Sequence, residues 1–225
     1  MRSTLYLLQN PVHLQGFFKT TPGQYGEGDV FIGVVVPYTR SIAKANLKIP
    51  TAEVGKLLKS KYHEAGLCAL LILTERIKKV SESERKEIFT FYLKNASRAN
   101  NWDLVDVSCR DIVGVYLVDR SDRSILYSLA ESKNLWEQRI AIVSTWTLIK
   151  HHDFADILAL SEKLMHHPHD LMHKAIGWML REVGKKNREV LTAFLKEHCK
   201  IMPRTTLRYA IEHYSPEERA AFMQR

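Results

Sequence analysis

The sequence predicts an all-α protein, an α-solenoid built from antiparallel helix pairs. Three observations predict it. From residue 37 onward the apolar residues recur at helical spacing, three and four apart. Capping signals interrupt that pattern at short intervals, leaving short turns between short helices. The one stretch with strand character has no second strand to complete its ladder. No tight repeat is visible, so the helix pairs are expected to be degenerate copies.

The least helical part comes first. Residues 20–29 (Thr20, Thr21, Pro22, Gly23, Gln24, Tyr25, Gly26, Glu27, Gly28, Asp29) form a loop rich in turn formers. Residues 30–36 are apolar and β-branched, and local propensity reads a strand. The expectation is instead an extended segment packed between helices. Gly26 and Gly28 lack the Lys-Ser/Thr of a phosphate loop. Pro37 suits the first position of a helix carrying Tyr38 and Ile42, and Thr51 is a plausible cap for a helix through Leu57 and Leu58. Residues 64–80 read as one helix with cations in its last turn. Ser81 and Glu84 form a capping box, and a helix from Asn101 follows. Asn134 caps residues 135–149, and Phe154 to Met165 follow a turn at His152 and Asp153. A helix starts at His167 and Pro168 and ends near Glu182, with Gly184 as its stop. Asn187 caps the next helix, Pro203 precedes another, and Ser215, Pro216 and Glu218 open the last. No linker divides the chain, so residues 1–225 are expected to form a single domain.

The 225 residues are 45% hydrophobic, enough for a core. Lys and Arg number 33 against 25 acidic residues, a net charge of +8 and a pI near 9.3. That excess favours an anionic partner, nucleic acid first, against the plain alternative of a basic surface. Cys68, Cys109 and Cys199 fit neither a disulfide framework nor paired metal spacing. The N-terminal apolar stretch is too short for a signal peptide, and no run reaches membrane-spanning length. The expectation is a cytoplasmic protein with no membrane partner.

Three stretches could carry chemistry. On a helix, Trp102, Val105, Asp106 and Cys109 share one face. A carboxylate beside an indole on a largely apolar face needs a buried partner or a cationic ligand. The plain alternative makes Asp103 a first-turn acid favoured by the helix dipole and Asp106 a rim side chain. Arg139 follows Trp136 by three residues on an apolar helix; the alternative is a snorkelling surface arginine. Lys174, Trp178 and Arg181 share another face, an aromatic between two cations, suited to a phosphate backbone and a sugar or base face. The alternative is a core tryptophan with solvated flanks. His169 and His173 have the spacing of a helical metal pair but no third ligand, so no metal and no cofactor is expected. The histidines at 151–152 and 166–173 are expected to add positive charge near DNA below neutral pH.

The runs Asn100-Asn101-Trp102-Asp103-Leu104-Val105-Asp106, Leu135-Trp136-Glu137-Gln138-Arg139-Ile140-Ala141 and Lys174-Ala175-Ile176-Gly177-Trp178-Met179-Leu180-Arg181-Glu182 occur in that order. With residues 26–34 they closely resemble the AlkD-type DNA alkylation repair family of HEAT-like helical proteins, from about Phe17 to the C-terminus. The resemblance implies a monomeric DNA glycosylase that removes alkylated bases, of the 3-methyladenine and 7-methylguanine type, from double-stranded DNA in base excision repair. It makes Asp106 the catalytic carboxylate and Trp102 and Trp178 the aromatics holding the damaged nucleotide. Arg139 would contact the DNA backbone, with Lys174 and Arg181 beside it in the DNA-binding set. Members of the family are thought to leave the damaged base stacked. Tyr25 lies off register and stays outside the catalytic set. The competing reading is a non-catalytic HEAT-like scaffold that binds damaged or branched DNA.

Overall fold

The computed structural model describes residues 8–224. Its helices are α1 (Pro11–Phe17), α2 (Val36–Ala45), α3 (Thr51–Leu58), α4 (His63–Arg76), α5 (Glu82–Lys94), α6 (Trp102–Cys109), α7 (Val115–Leu117), α8 (Ser124–Ala130), α9 (Leu135–Lys150), α10 (Ala155–Leu164), α11 (Asp170–Lys186), α12 (Arg188–His198), α13 (Arg204–Ala210) and α14 (Pro216–Met223). Among the described residues there is no named strand, only two isolated bridges. The all-α expectation holds. No described helix is long and apolar enough to cross a membrane. The helices gather into two compact units, Met1–Ile112 and Val113–Arg225.

In the first unit α4 is the hub, touching α2, α3 and α6. Its sequence, HEAGLCALLILTER, is apolar nearly all round, and Leu67 to Thr74 are all buried. A helix without a polar face belongs inside. The helix ends at Arg76, short of the expected Val80, and starts one residue early, at His63.

Residues 30–36 are extended, and their backbone groups are satisfied without a sheet. Val30 O accepts from His63 N–H at 2.9 Å, and Gly33 O accepts from Gln9 N–H at 2.6 Å. The N–H groups of Ile32 and Gly33 donate to the Glu64 carboxylate at 3.1 and 2.7 Å. A side chain on α4 thus takes the place of a partner strand. Gly33 has a positive φ, and a Cβ there would stand 2.2 Å from Gln9 O.

In the second unit α9 plays the hub, packed against α8, α10 and α11, and α11 packs in turn on α13. The close approach of α11 to α13 rests on Gly177, where a Cβ would meet Tyr209 Cβ at 2.5 Å. Several caps form as read: the Ser81 and Ser215 capping boxes, Asn134 and Asn187. Others shift. Pro50, not Thr51, stands at the cap of α3, and Pro37 sits second in α2. His169 caps α11, which begins at Asp170 rather than at His167. Gly184 does not stop α11, which runs on to Lys186. Its missing Cβ makes room for Leu191, whose Cδ2 would lie 2.4 Å away.

Candidate functional site

The start of α6 is held by a buried polar network. Asn101 is fully buried, and its side-chain oxygen accepts from the Trp102 N–H at 2.9 Å, capping the helix. Its amide donates to Asp29 at 3.3 Å, and the Asn100 amide donates to the other Asp29 oxygen at 2.7 Å. His63 completes the network. Its Nδ1 lies 3.0 Å from Asp29 Oδ2 and its Nε2 lies 2.8 Å from Asp103 Oδ2. Gly26 has to be glycine, since a Cβ there would meet Phe18 O at 2.3 Å and the Asn101 amide at 2.9 Å. The turn-rich loop thereby delivers Asp29 to the foot of α6.

Burial works against the charge on His63, which is 5% exposed. The hydrogen bonds and charges of Asp103 and Asp29 outweigh that burial and raise its pKa to about 9. Burial likewise works against the Asp29 carboxylate, and His63, Asn100 and Asn101 outweigh it and lower its pKa. Both imidazole nitrogens carry protons at neutral pH, each donated to a carboxylate. The ring stacks on Phe31 at 4.3 Å between centroids, and Phe31 stacks on Phe18 at 4.9 Å. Phe18 in turn stacks on Trp102 at 5.4 Å, and Phe17 meets Trp102 edge-on at 6.0 Å.

Trp102 and Asp106 are both half-buried and one helical turn apart, so they share a face of α6. The other side of the helix is pinned by Ser108. Its hydroxyl reaches Leu104 O at 2.6 Å and the buried Tyr92 hydroxyl of α5 at 3.0 Å. Burial pushes the Tyr92 hydroxyl pKa well up, and the charge of Asp106 adds to that shift. After Cys109 the chain passes into a π-helical turn, Arg110–Gly114. Such turns recur at functional sites.

Arg139, Lys174, Trp178 and Arg181 belong to the second unit. Trp178 is half-buried, neither a core residue nor a surface one. Lys174 pairs with Asp170 at 2.7 Å, and Arg181 bonds to Glu212 and lies 3.7 Å from Glu182. Asp170 and Glu212 are more than half exposed, so a phosphate can replace them at little cost. Arg139 departs from both expectations. It is neither a snorkelling surface residue nor an open DNA contact, being 5% exposed, with Nη1 donating to Leu171 O at 2.6 Å. It ties α9 to the first turn of α11, the helix that carries Lys174, Trp178 and Arg181.

Two of the histidines, His167 and His169, are engaged in local structure at the start of α11. His169 Nδ1 accepts from the Leu171 N–H, and His167 Nδ1 accepts from the His169 N–H. Burial lowers both pKa values, with neighbouring cationic groups adding to it. His169 caps α11, and His167 in turn holds the backbone of His169. Among the described residues no group of three or more His, Cys, Asp or Glu could hold a metal ion.

Sequence reasoning missed Asp29 and His63 and read Asp103 only as a dipole acid. The available signals were an acid, Asp29, directly after the Gly26 and Gly28 turn, and a histidine opening an otherwise apolar helix.

Comparison with known proteins bears on this arrangement. The family model described as DNA alkylation repair enzyme matches residues 4–214. The chain resembles a solved structure, a predicted DNA alkylation repair enzyme from Enterococcus faecalis, with a TM-score of 0.69 at 18% identity, covering 95% of this chain and 100% of that one. At that identity the likeness speaks for the fold alone. The comparison with curated proteins gave no match.

Proposed function

This chain belongs to the DNA alkylation repair enzyme family, and from that premise we propose that it is a DNA glycosylase. Its substrate is double-stranded DNA carrying cationic alkylated purines of the 3-methyladenine and 7-methylguanine type. The observation that carries this reading is the pairing of Trp102 and Asp106 on one half-buried face of α6, with the start of that helix held by Asn101, Asp29 and His63.

The chemistry suits a lone carboxylate. A purine alkylated at N3 or N7 carries a positive charge. When the bond from C1′ to the base nitrogen breaks, its electron pair stays on that nitrogen and the base leaves neutral. Little general-acid help is needed. Positive charge develops on the sugar, as in glycoside hydrolysis. Asp106 beside C1′ stabilises that charge and orients the water that attacks C1′. The water's proton passes to the carboxylate or to solvent. The indole face of Trp102 adds attraction for the same cation and excludes water. Trp178 holds sugar and backbone, Lys174 and Arg181 meet phosphates, and buried Arg139 sets the start of their helix. One chain carries every residue in this scheme, which supports a monomer.

Lesion selectivity tests the reading. Duplexes carrying 7-methylguanine or 3-methyladenine should release free base, while uracil and 8-oxoguanine, which leave as anions without acid help, should stay attached. Efficient uracil release would contradict a lone-carboxylate mechanism. DNA binding with no release from any duplex would favour the non-catalytic scaffold.

A further inference from the structure

Helix α6 carries a second carboxylate, Asp103, three residues before Asp106 and so on an adjoining part of the same face. Among the described residues Asp103 has one donor. Its Oδ2 accepts from His63 Nε2 at 2.8 Å, while its Oδ1 is buried without a hydrogen-bond partner. The hold of α4 on that carboxylate therefore passes through one imidazole. The other ring nitrogen, Nδ1, lies 3.0 Å from Asp29 Oδ2. Asp29 takes in turn the amide of Asn101, whose oxygen caps α6 at the Trp102 N–H. Two lines thus run from His63 to the first turn of α6, one through Asp103 and one through Asp29 and Asn101.

Both partners of the ring are carboxylates, which only accept. An imidazolium donates to both. A neutral imidazole has one N–H and turns a lone pair toward the second carboxylate. The clamp therefore needs the proton. Other ionisable groups stand nearby. Glu64, next along α4, is committed to the Ile32 and Gly33 N–H groups. His13 of α1 lines the cavity that Asp103 borders, and Glu27, Lys59, Lys61 and Arg98 line the one that Asp29 borders. Among the described residues only Asp29 and Asp103 bond to the ring.

We propose that His63 is a positioning residue for base excision: as an imidazolium it fixes the first turn of α6 through Asp103 and so sets where Asp106 meets C1′. This rests on the glycosylase reading and adds to it a residue that acts through another. When the proton leaves, one carboxylate is released, the turn loosens, and Asp106 moves from C1′ while the contacts of Lys174 and Arg181 with DNA remain. The His63 pKa of about 9 places that loss at alkaline pH.

Single-turnover base release from a duplex carrying 7-methylguanine, by full-length wild type and His63→Gln from about pH 6 to about pH 10, tests this. The ratio of the two rates at each pH removes the lesion's own titration. Below the His63 pKa the variant should be slower by roughly tenfold to a hundredfold, with DNA affinity little changed. The ratio should fall toward unity as pH passes about 9. Circular dichroism at each pH separates a lost fold from a lost rate. Asp103→Asn keeps the ring but removes one of its two carboxylates, so it should slow release and move the alkaline fall to lower pH. It decides the matter if His63→Gln does not fold. A ratio that is the same at every pH marks a purely structural role and would overturn the proposal. So would an unchanged rate in His63→Gln, a loss carried by DNA affinity, or an alkaline fall unmoved in Asp103→Asn. Wild-type base release alongside any of these leaves the glycosylase reading standing. No release by the wild type at any pH removes that reading and this role with it.

Discussion

His63 is held between Asp29 and Asp103, and that arrangement sets a pH dependence with a definite sign. The folded-state pKa, about 9, lies above the ordinary histidine value of 6.5. The stabilisation it brings is fully present below about pH 6.5 and is lost as pH rises toward 9. Its size is on the order of 3 kcal/mol, since each tenfold gain in proton affinity is worth about 1.4 kcal/mol. Urea unfolding at a series of pH values should therefore show stability falling across that window, and His63→Asn should be less stable at neutral pH with the slope flattened. An unchanged slope would mean the imidazole is not the titrating group. The network was illegible in the sequence because Asp29 and Asp103 lie 34 and 40 residues from His63. Trp102 and Asp106 were legible because a helical turn of four residues brings them together by local geometry alone.

At the scale of elements, local signals were legible and contact-driven ones were not. The Ser81 and Ser215 capping boxes formed because each closes within four residues. Gly184 read as a stop signal, yet its role is to admit Leu191 of α12, a packing fact invisible in local propensity. The segment at 30–36 has strand propensity but takes its hydrogen bonds from Glu64 and from backbone outside any sheet. Gly177 makes the same point with a measurable consequence. A methyl group there meets Thr206 O at 2.6 Å and Tyr209 Cβ at 2.5 Å, backbone and branch-point atoms with little room to yield. Gly177→Ala gains helix propensity, worth about 1 kcal/mol, but overpacking costs about 1–3 kcal/mol. A net loss of stability is expected in chemical denaturation. A stabilised variant would show that α11 and α13 separate without cost.

The whole molecule carries 33 basic residues against 25 acidic ones, and its partner as a DNA repair family member is DNA. Each phosphate neutralised by Lys or Arg releases counterions, so affinity should fall linearly in logarithmic terms with salt. If about six phosphates are engaged, raising salt from about 50 to about 200 mM should weaken binding roughly a thousandfold. Lys174→Ala or Arg181→Ala should each reduce the slope by about one phosphate without altering which lesion is excised. A salt-independent affinity would place the binding energy elsewhere.

One carboxylate on α6 is held to drive base release, and the most direct test is to incubate wild type and Asp106→Asn with duplex DNA carrying 7-methylguanine and measure free base. Release by the wild type is expected, with a rate lower by about a hundredfold or more in the variant and DNA binding retained. An unchanged rate in Asp106→Asn would contradict that role for the carboxylate.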